Sequence, residues 1–237
     1  MSRPEPTILA FDTSAAHCAA ALLKKGRIAA SRHQEMARGQ AESLFPMLEE
    51  LMDEAGMDWQ DLDAIGVGVG PGNFTGIRIS VSAARGLALS LGIPAIGINT
   101  LEAIFHVAGR PPGRIAVFLP APKGSTYFQV FAGGEPLGPA FLEADGSLRD
   151  PQWAEGVKAV VGPGKDSACR QIAIKLGRAG KGPVPEQLVV DSLNEQAKAI
   201  SACAAQRFGS WNERPKPLYV RPVNAAPAHG PPPAMLP

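Results

Sequence analysis

Cysteine is scarce in this chain. There are three in 237 residues, Cys18, Cys169 and Cys203, and they lie far apart. No Cys-x-x-Cys pair occurs, so neither a disulfide framework nor a zinc site is expected, and a reducing cytoplasm is the expected setting. Histidine is nearly as rare. His17, His33, His106 and His229 include no pair three to five residues apart, which excludes a His-x-x-x-His metal motif. Neither sign of charge prevails, with 23 basic against 22 acidic residues, so composition offers no argument for a nucleic-acid surface. No basic-then-apolar leader follows Met1, and no apolar run approaches the roughly 18 residues of a membrane span. No Gly-x-Ser-x-Gly elbow occurs, and the Ser, His and Asp residues show no spacing that suggests a triad. These absences point to a soluble protein with no metal and no membrane contact.

Glycine and proline are abundant, 26 and 23 residues, well above the roughly 12% the pair usually contributes. They punctuate a regular order. Strands are expected at Ile8–Phe11, His17–Leu23 and Arg27–Gln34, the last two joined by a Lys-Gly hairpin turn. From Gln40 to Ala55 apolar residues recur at helical spacing opposite Glu42, Glu49, Glu50, Asp53 and Glu54, with a kink expected at Pro46. A strand at Ala64–Val69, a helix from Phe74 to Ser90, a strand at Ala95–Ile98 and a helix at Leu101–Ala108 complete a β-β-β-α-β-α-β-α order. Gly109-Arg110-Pro111-Pro112-Gly113 then marks a domain boundary. Beyond it, strands are expected at Arg114–Leu119, Thr126–Phe131 and Val157–Val161. Helices are expected over 166–176 and Leu193–Phe208, the latter capped by Asp191 or Ser192, with loops at 133–151 and 177–185. A mobile proline-rich tail is expected over 222–237.

Two places carry candidate chemistry. Asp12-Thr13-Ser14 closes the first strand, and Gly70-Pro71-Gly72-Asn73 joins a strand to a helix N-terminus, an arrangement that favours anions. Asp12, Thr13, Gly70, Gly72 and Asn73 therefore form a candidate weak anion site. Ala15 and Ala16 stand where a phosphate-cradling turn wants glycine, and no lysine follows the second turn. Gly162-Pro163-Gly164-Lys165 is a second glycine turn, more simply read as a plain turn with a solvated lysine. The helix from Phe74 has a bulky face (Phe74, Ile77, Val81, Leu87) and a small-residue stripe (Gly76, Ser80, Ala84, Ala88). One face can enter the chain's own core and the other can meet a partner.

Ile8-Leu9-Ala10-Phe11-Asp12-Thr13-Ser14, Phe45-Pro46-Met47-Leu48 and Gly70-Pro71-Gly72-Asn73-Phe74-Thr75-Gly76-Ile77-Arg78-Ile79 resemble the family of tRNA threonylcarbamoyladenosine biosynthesis protein TsaB, also called YeaZ. Pro217-Leu218-Tyr219-Val220-Arg221 resembles that family's closing motif. The resemblance implies an α/β protein of the actin-like ATPase (ASKHA) fold with two βββαβαβα-type lobes, the second abbreviated. The lobes would be 1–109, bearing the partner-binding helices, and 110–221, whose last helix packs back on the first lobe. It implies a non-catalytic scaffold without a cofactor that binds the catalytic subunit TsaD, works with TsaE, and forms a homodimer when the partner is absent. The implied contact surface is Leu44, Leu48 and Leu51 on one helix and Phe74, Gly76, Ile77, Arg78, Ser80, Val81 and Ala84 on the next. The chain departs from the family pattern at Pro120–Tyr127, where an Asp-Ala-Arg run and a following glutamate are missing. The competing readings are an autonomous ATP-dependent enzyme or peptidase-like protein of the same fold, and a simple homodimeric nucleotide-binding protein.

Overall fold

A computed structural model describes residues 5–143, 152–163, 172–175, 184–190, 193–211 and 213–220. The first part runs β1 (Ile8–Asp12), β2 (His17–Lys24), β3 (Arg27–Glu35), α1 (Gln40–Glu54), β4 (Ala64–Gly68), α2 (Phe74–Leu91), β5 (Ala95–Ile98) and α3 (Thr100–Val107). This is the expected β-β-β-α-β-α-β-α order. The strands lie in the order β3-β2-β1-β4-β5, with β2 antiparallel to its neighbours and β1, β4 and β5 parallel. Lys25 (φ 51°) and Gly26 (φ 69°) make the two-residue turn between β2 and β3, both with the positive φ that a tight hairpin of this hand requires.

Strand periodicity sorts side chains onto two faces. Leu9 and Phe11 of β1 enter a core with α1 and α2, while Ile8 and Ala10 face the other side. The helix on that other side comes from the far end of the chain: α4 (Gln196–Arg207), whose Ile200 and Ala204 join Ile8 and Ala10. Gly66 makes the close approach of α4 to β4 feasible, since a Cβ there would stand 3.1 Å from the Ala204 Cβ. Arg207 at the end of α4 donates to both carboxylate oxygens of Glu102 on α3, each at 2.7 Å, and to the Gly97 carbonyl.

The second sheet contains β6 (Arg114–Pro120), β7 (Thr126–Ala132), β8 (Glu135–Pro136), β9 (Phe141–Glu143), β10 (Ala159–Pro163) and β11 (Glu186–Val190). Its order, β11-β10-β6-β7-β8, repeats the first sheet's plan, with an antiparallel β6–β7 pair, parallel β10 and β11, and a third strand cut to two residues. α3 joins the sheets. Its Ala103 packs in the core beside β1, and its Leu101, Ile104 and Phe105 pack with Ile115, Val117 and Phe131.

Several expectations need correction. β8 and β9 lie within 133–151, read as loop, because strands of two and three residues held by the β7 edge leave no periodic signal. Gly162-Pro163 belongs to β10 rather than to a turn, and Gly162 lies against the Phe118 ring where no side chain would fit. β11 was not expected at all. Pro46 lies inside α1, where the sequence places it. Of the expected 166–176 helix, residues 172–175 are described and helical. Its remainder, Gly164-Lys165, Cys169, the Asp191/Ser192 cap, Arg221 and the 222–237 tail with His229 lie outside the described residues. Among the described residues no helix is long and apolar enough to cross a membrane.

Candidate functional site

The β4–α2 connection is fastened to the turn that follows β1. Gly70 has a positive φ of 91° and precedes a cis Pro71. Asn73 caps α2 by accepting from the Gly76 N–H at 2.9 Å, and its own N–H donates to the Ser14 carbonyl at 2.6 Å. Thr13 Oγ1 donates to the Gly76 carbonyl at 2.7 Å, and Ser80 Oγ reaches the Gly68 carbonyl at 3.2 Å. Gly72 and Gly76 lie against the backbone of Ser14 and Thr13, with no room for a side chain at either. The small-residue stripe thus brings α2 close to its own sheet.

Asp12 is fully buried. Its Oδ2 accepts from Ser14 N–H (3.1 Å), Ser14 Oγ (2.9 Å) and His17 Nε2 (2.8 Å), while Oδ1 lies against Gly68 without a hydrogen-bond partner. The carboxylate organises the turn. Of the expected anion site, Asp12 and Thr13 are sealed in the interior, Gly70 shapes the loop, and only Gly72 and Asn73 line a cavity. Ser14, which bonds the Asp12 carboxyl, lines that cavity, and none of the described residues lining it is cationic. The arrangement does not favour an anion held by these five residues.

The expected contact surface divides sharply. Leu44, Leu48, Leu51, Ile77, Val81 and Ala84 are all buried in the core between β1, β2 and the two helices. Gly76 and Ser80 are likewise buried on the sheet side of α2. These eight residues pack inside the chain's own fold. The reason is geometric: the apolar stripe of an amphipathic helix faces whichever apolar surface its own chain supplies, and here the sheet supplies it. Phe74 and Arg78 remain outside, with Phe74 53% exposed.

The outer face of α2 has its own organisation. The Arg78 guanidinium carbon stands 3.8 Å from the Phe74 ring centroid, and Arg78 Nε donates to the Tyr219 hydroxyl at 2.9 Å. Tyr219 stacks on Phe74 with centroids 5.3 Å apart. The closing segment is delivered there by the Leu218 N–H, which donates to the Val69 carbonyl at 2.8 Å. Phe74, Tyr219 (52% exposed), Arg85 and Leu89 (84% exposed) make this face apolar and basic. The outer face of α1 is acidic around Phe45, with Glu42, Glu49, Glu50, Asp53 and Glu54 exposed. Glu54 pairs with Arg32 of β3 at 2.8 Å. Tyr219, Leu89 and Phe45 were missing from the expected surface. The signal for Phe45 was a large apolar residue on an otherwise acidic helix face.

Against this geometry stand the relatives. Residues 28–148 match the family model described as TsaD: tRNA N6-adenosine threonylcarbamoyltransferase. The tRNA threonylcarbamoyladenosine biosynthesis protein TsaB of Escherichia coli (strain K12) is 35% identical over 127 residues, covering 52% of this chain and 54% of that protein. The chain spans about half the length of the curated TsaB relatives it matches. The solved structure of YeaZ from Pseudomonas aeruginosa superposes with a TM-score of 0.68 at 27% identity, covering 91% of this chain and all of that one. A ROK hexokinase from Thermus thermophilus superposes at a TM-score of 0.51 and 15% identity, a likeness of fold alone. The two repeated sheets are those of the actin-like ATPase fold, and the chain belongs to the TsaB (YeaZ) family.

Proposed function

We infer that the chain takes part in forming N6-threonylcarbamoyladenosine in tRNA as a non-catalytic subunit that binds and supports TsaD, with TsaE as a further member of the assembly. The observation that carries this reading is the Phe74–Arg78–Tyr219 cluster. It is exposed, yet its three side chains are already locked together by stacking, a cation–π contact and a hydrogen bond. Aromatic and arginine side chains dominate the energetics of protein interfaces, and a cluster ordered beforehand loses little conformational entropy on docking. The commitment of Asp12 to Ser14 and His17 supports a helper role, since that carboxylate is buried within its own turn.

Charge favours self-association as a second use of the same surface. An acidic α1 lies beside a basic α2, so two copies related by a two-fold axis place the α1 face of each opposite the α2 face of the other. Size-exclusion chromatography of this chain with TsaD tests the reading. A heteromer that forms at the expense of the homodimer is expected, and separate peaks at micromolar concentrations would refute it.

A further inference from the structure

The last turns of α2 and the closing segment line a second cavity, of about 480 Å³. Arg85 and Leu89 contribute from the helix, Trp211 and Arg214 from the closing segment, and Ile93 and Pro94 from the turn into β5. The closing segment is held in place here. Pro215 is buried against Gly97, where a Cβ would stand 3.4 Å from the proline Cβ. Trp211 Nε1 donates to the Glu213 carbonyl at 2.7 Å, and the Arg207 guanidinium carbon lies 5.2 Å from the Trp211 ring centroid. Leu89, by contrast, is almost wholly exposed. Arg85 and Arg214 are both exposed, and neither has a hydrogen-bond or ion-pair partner among the described residues. Glu213 is the one acidic residue among those described as lining the cavity, so two positive charges stand against one negative.

We propose that this cavity binds a small amphipathic monocarboxylate, an acyl or aryl carboxylate whose head group meets Arg85 and Arg214 and whose apolar body lies against Leu89, Ile93 and the Trp211 ring. A planar guanidinium offers a carboxylate two parallel N–H···O bonds, and one unpaired arginine on each wall gives the head group partners on two elements. An aromatic side chain already fixed by its own contacts gives up little freedom when a ligand packs on it. The volume lies within the roughly 300–1,000 Å³ of small-molecule sites, which combine an apolar lining with a few placed polar groups. Two arginines against Glu213 leave a net charge that one carboxylate neutralises. A dianion such as phosphate overloads that balance and leaves the apolar wall uncovered. The site does not rest on the TsaD reading, since Phe74 and Arg78 belong to the first turns of α2 and this cavity to its last.

Calorimetric titration of the full chain with octanoate, 1-naphthoate, 1-octanol and inorganic phosphate tests this. Octanoate or naphthoate is expected to bind about tenfold or more tightly than octanol or phosphate, because only the carboxylates offer both a charge and an apolar body. Arg85→Gln and Arg214→Gln are each expected to weaken that binding about tenfold without moving the melting temperature, since both side chains are exposed. Of the three tryptophans only Trp211 lines the cavity, so ligand should shift tryptophan emission in the parent chain. Trp211→Phe keeps an aromatic wall and is expected to bind the carboxylate with no such shift. Failure of both carboxylates to bind, equal affinity for octanol or phosphate, or parental affinity in both arginine variants overturns the proposal. An emission shift that survives in Trp211→Phe overturns it too, because the ligand would then sit elsewhere.

Discussion

The carbonyl of Thr13 occupies the space in which a side chain on Gly76 would stand, and the Thr13 hydroxyl donates back to the Gly76 carbonyl at 2.7 Å. A methyl group at Gly76 would meet main chain, which cannot rotate away. Gly76→Ala is expected to lower stability by about 1–3 kcal/mol or more, the range for overpacking a close contact. Gly86 is the internal control. It lies in the same helix, and a Cβ placed on it would meet nothing within 4 Å, so Gly86→Ala is expected to raise stability by about 0.5–1 kcal/mol. Thermal unfolding followed by circular dichroism separates the two, and equal effects would refute the account of the stripe.

Hydrophobic pattern alone offers both Phe74 and Leu48 to a partner, and burial assigns them opposite roles. Phe74→Asp and Arg78→Glu alter an exposed cluster and are expected to change folding stability by no more than about 0.5 kcal/mol. Each is expected to weaken TsaD binding by about 2 kcal/mol or more if the cluster is an interface anchor. Leu48 is fully buried, so Leu48→Ala is expected to cost about 2–5 kcal/mol of stability, and a charged replacement would unfold the chain. Melting curves and size-exclusion chromatography with TsaD, run on the same samples, check both halves. Loss of fold in Phe74→Asp, or an intact heteromer, would count against the assignment.

The first lobe was legible because each of its elements carries a local signal. Asn73 and Asn99 announce two helix starts, Gly92 with a φ of 69° announces a helix end, and β1 and β4 are short apolar runs bounded by turns. What pattern could not settle was which apolar helix face meets the chain's own sheet. Leu44 and Phe45 are neighbours of similar hydrophobicity, yet one is 1% exposed and the other 42%. The cavity beside Gly72 and Asn73 was illegible for another reason: Thr100 and Gln196, which also line it, are ordinary in sequence and far apart along the chain. Only the fold brings them to one cavity.

The two described cysteines are expected to be chemically inert in the native chain. Burial, reinforced by the Asp12 carboxylate, pushes the Cys18 thiol up to about 11; burial, reinforced by Glu102, pushes Cys203 up to about 12. Only the thiolate reacts readily, and its population at neutral pH is then vanishingly small. Iodoacetamide at pH 7.5 should leave both unmodified until denaturant is added, as read by peptide mass spectrometry. Native-state labelling at Cys18 or Cys203 would show that the sheet or α4 opens locally more often than their burial implies.

Acid is expected to weaken the fold through two histidines. Burial lowers the His33 ring below its ordinary 6.5, with His17 adding to the effect and Glu35 opposing it; burial and Arg110 lower His106. Nδ1 of each ring is buried without a partner. The unfolded chain therefore takes up protons near pH 6.5 while the folded rings stay neutral, so stability is full above that pH and falls as pH drops through the folded values. Glu102 acts with the opposite sign. Burial raises its carboxyl above 4.5 despite two 2.7 Å bonds from Arg207, so desolvation outweighs the ion pair. Its contribution is full below pH 4.5 and lost as pH rises through the folded value, which leaves a costly charge at neutrality. Urea midpoints should fall from pH 6.5 to 5.5 and flatten in His33→Gln/His106→Gln, whereas Glu102→Gln should be at least as stable as the parent at pH 7.5. A marked loss in Glu102→Gln at that pH would mean that the Arg207 bonds, and not burial, decide the energetics of the α3–α4 contact.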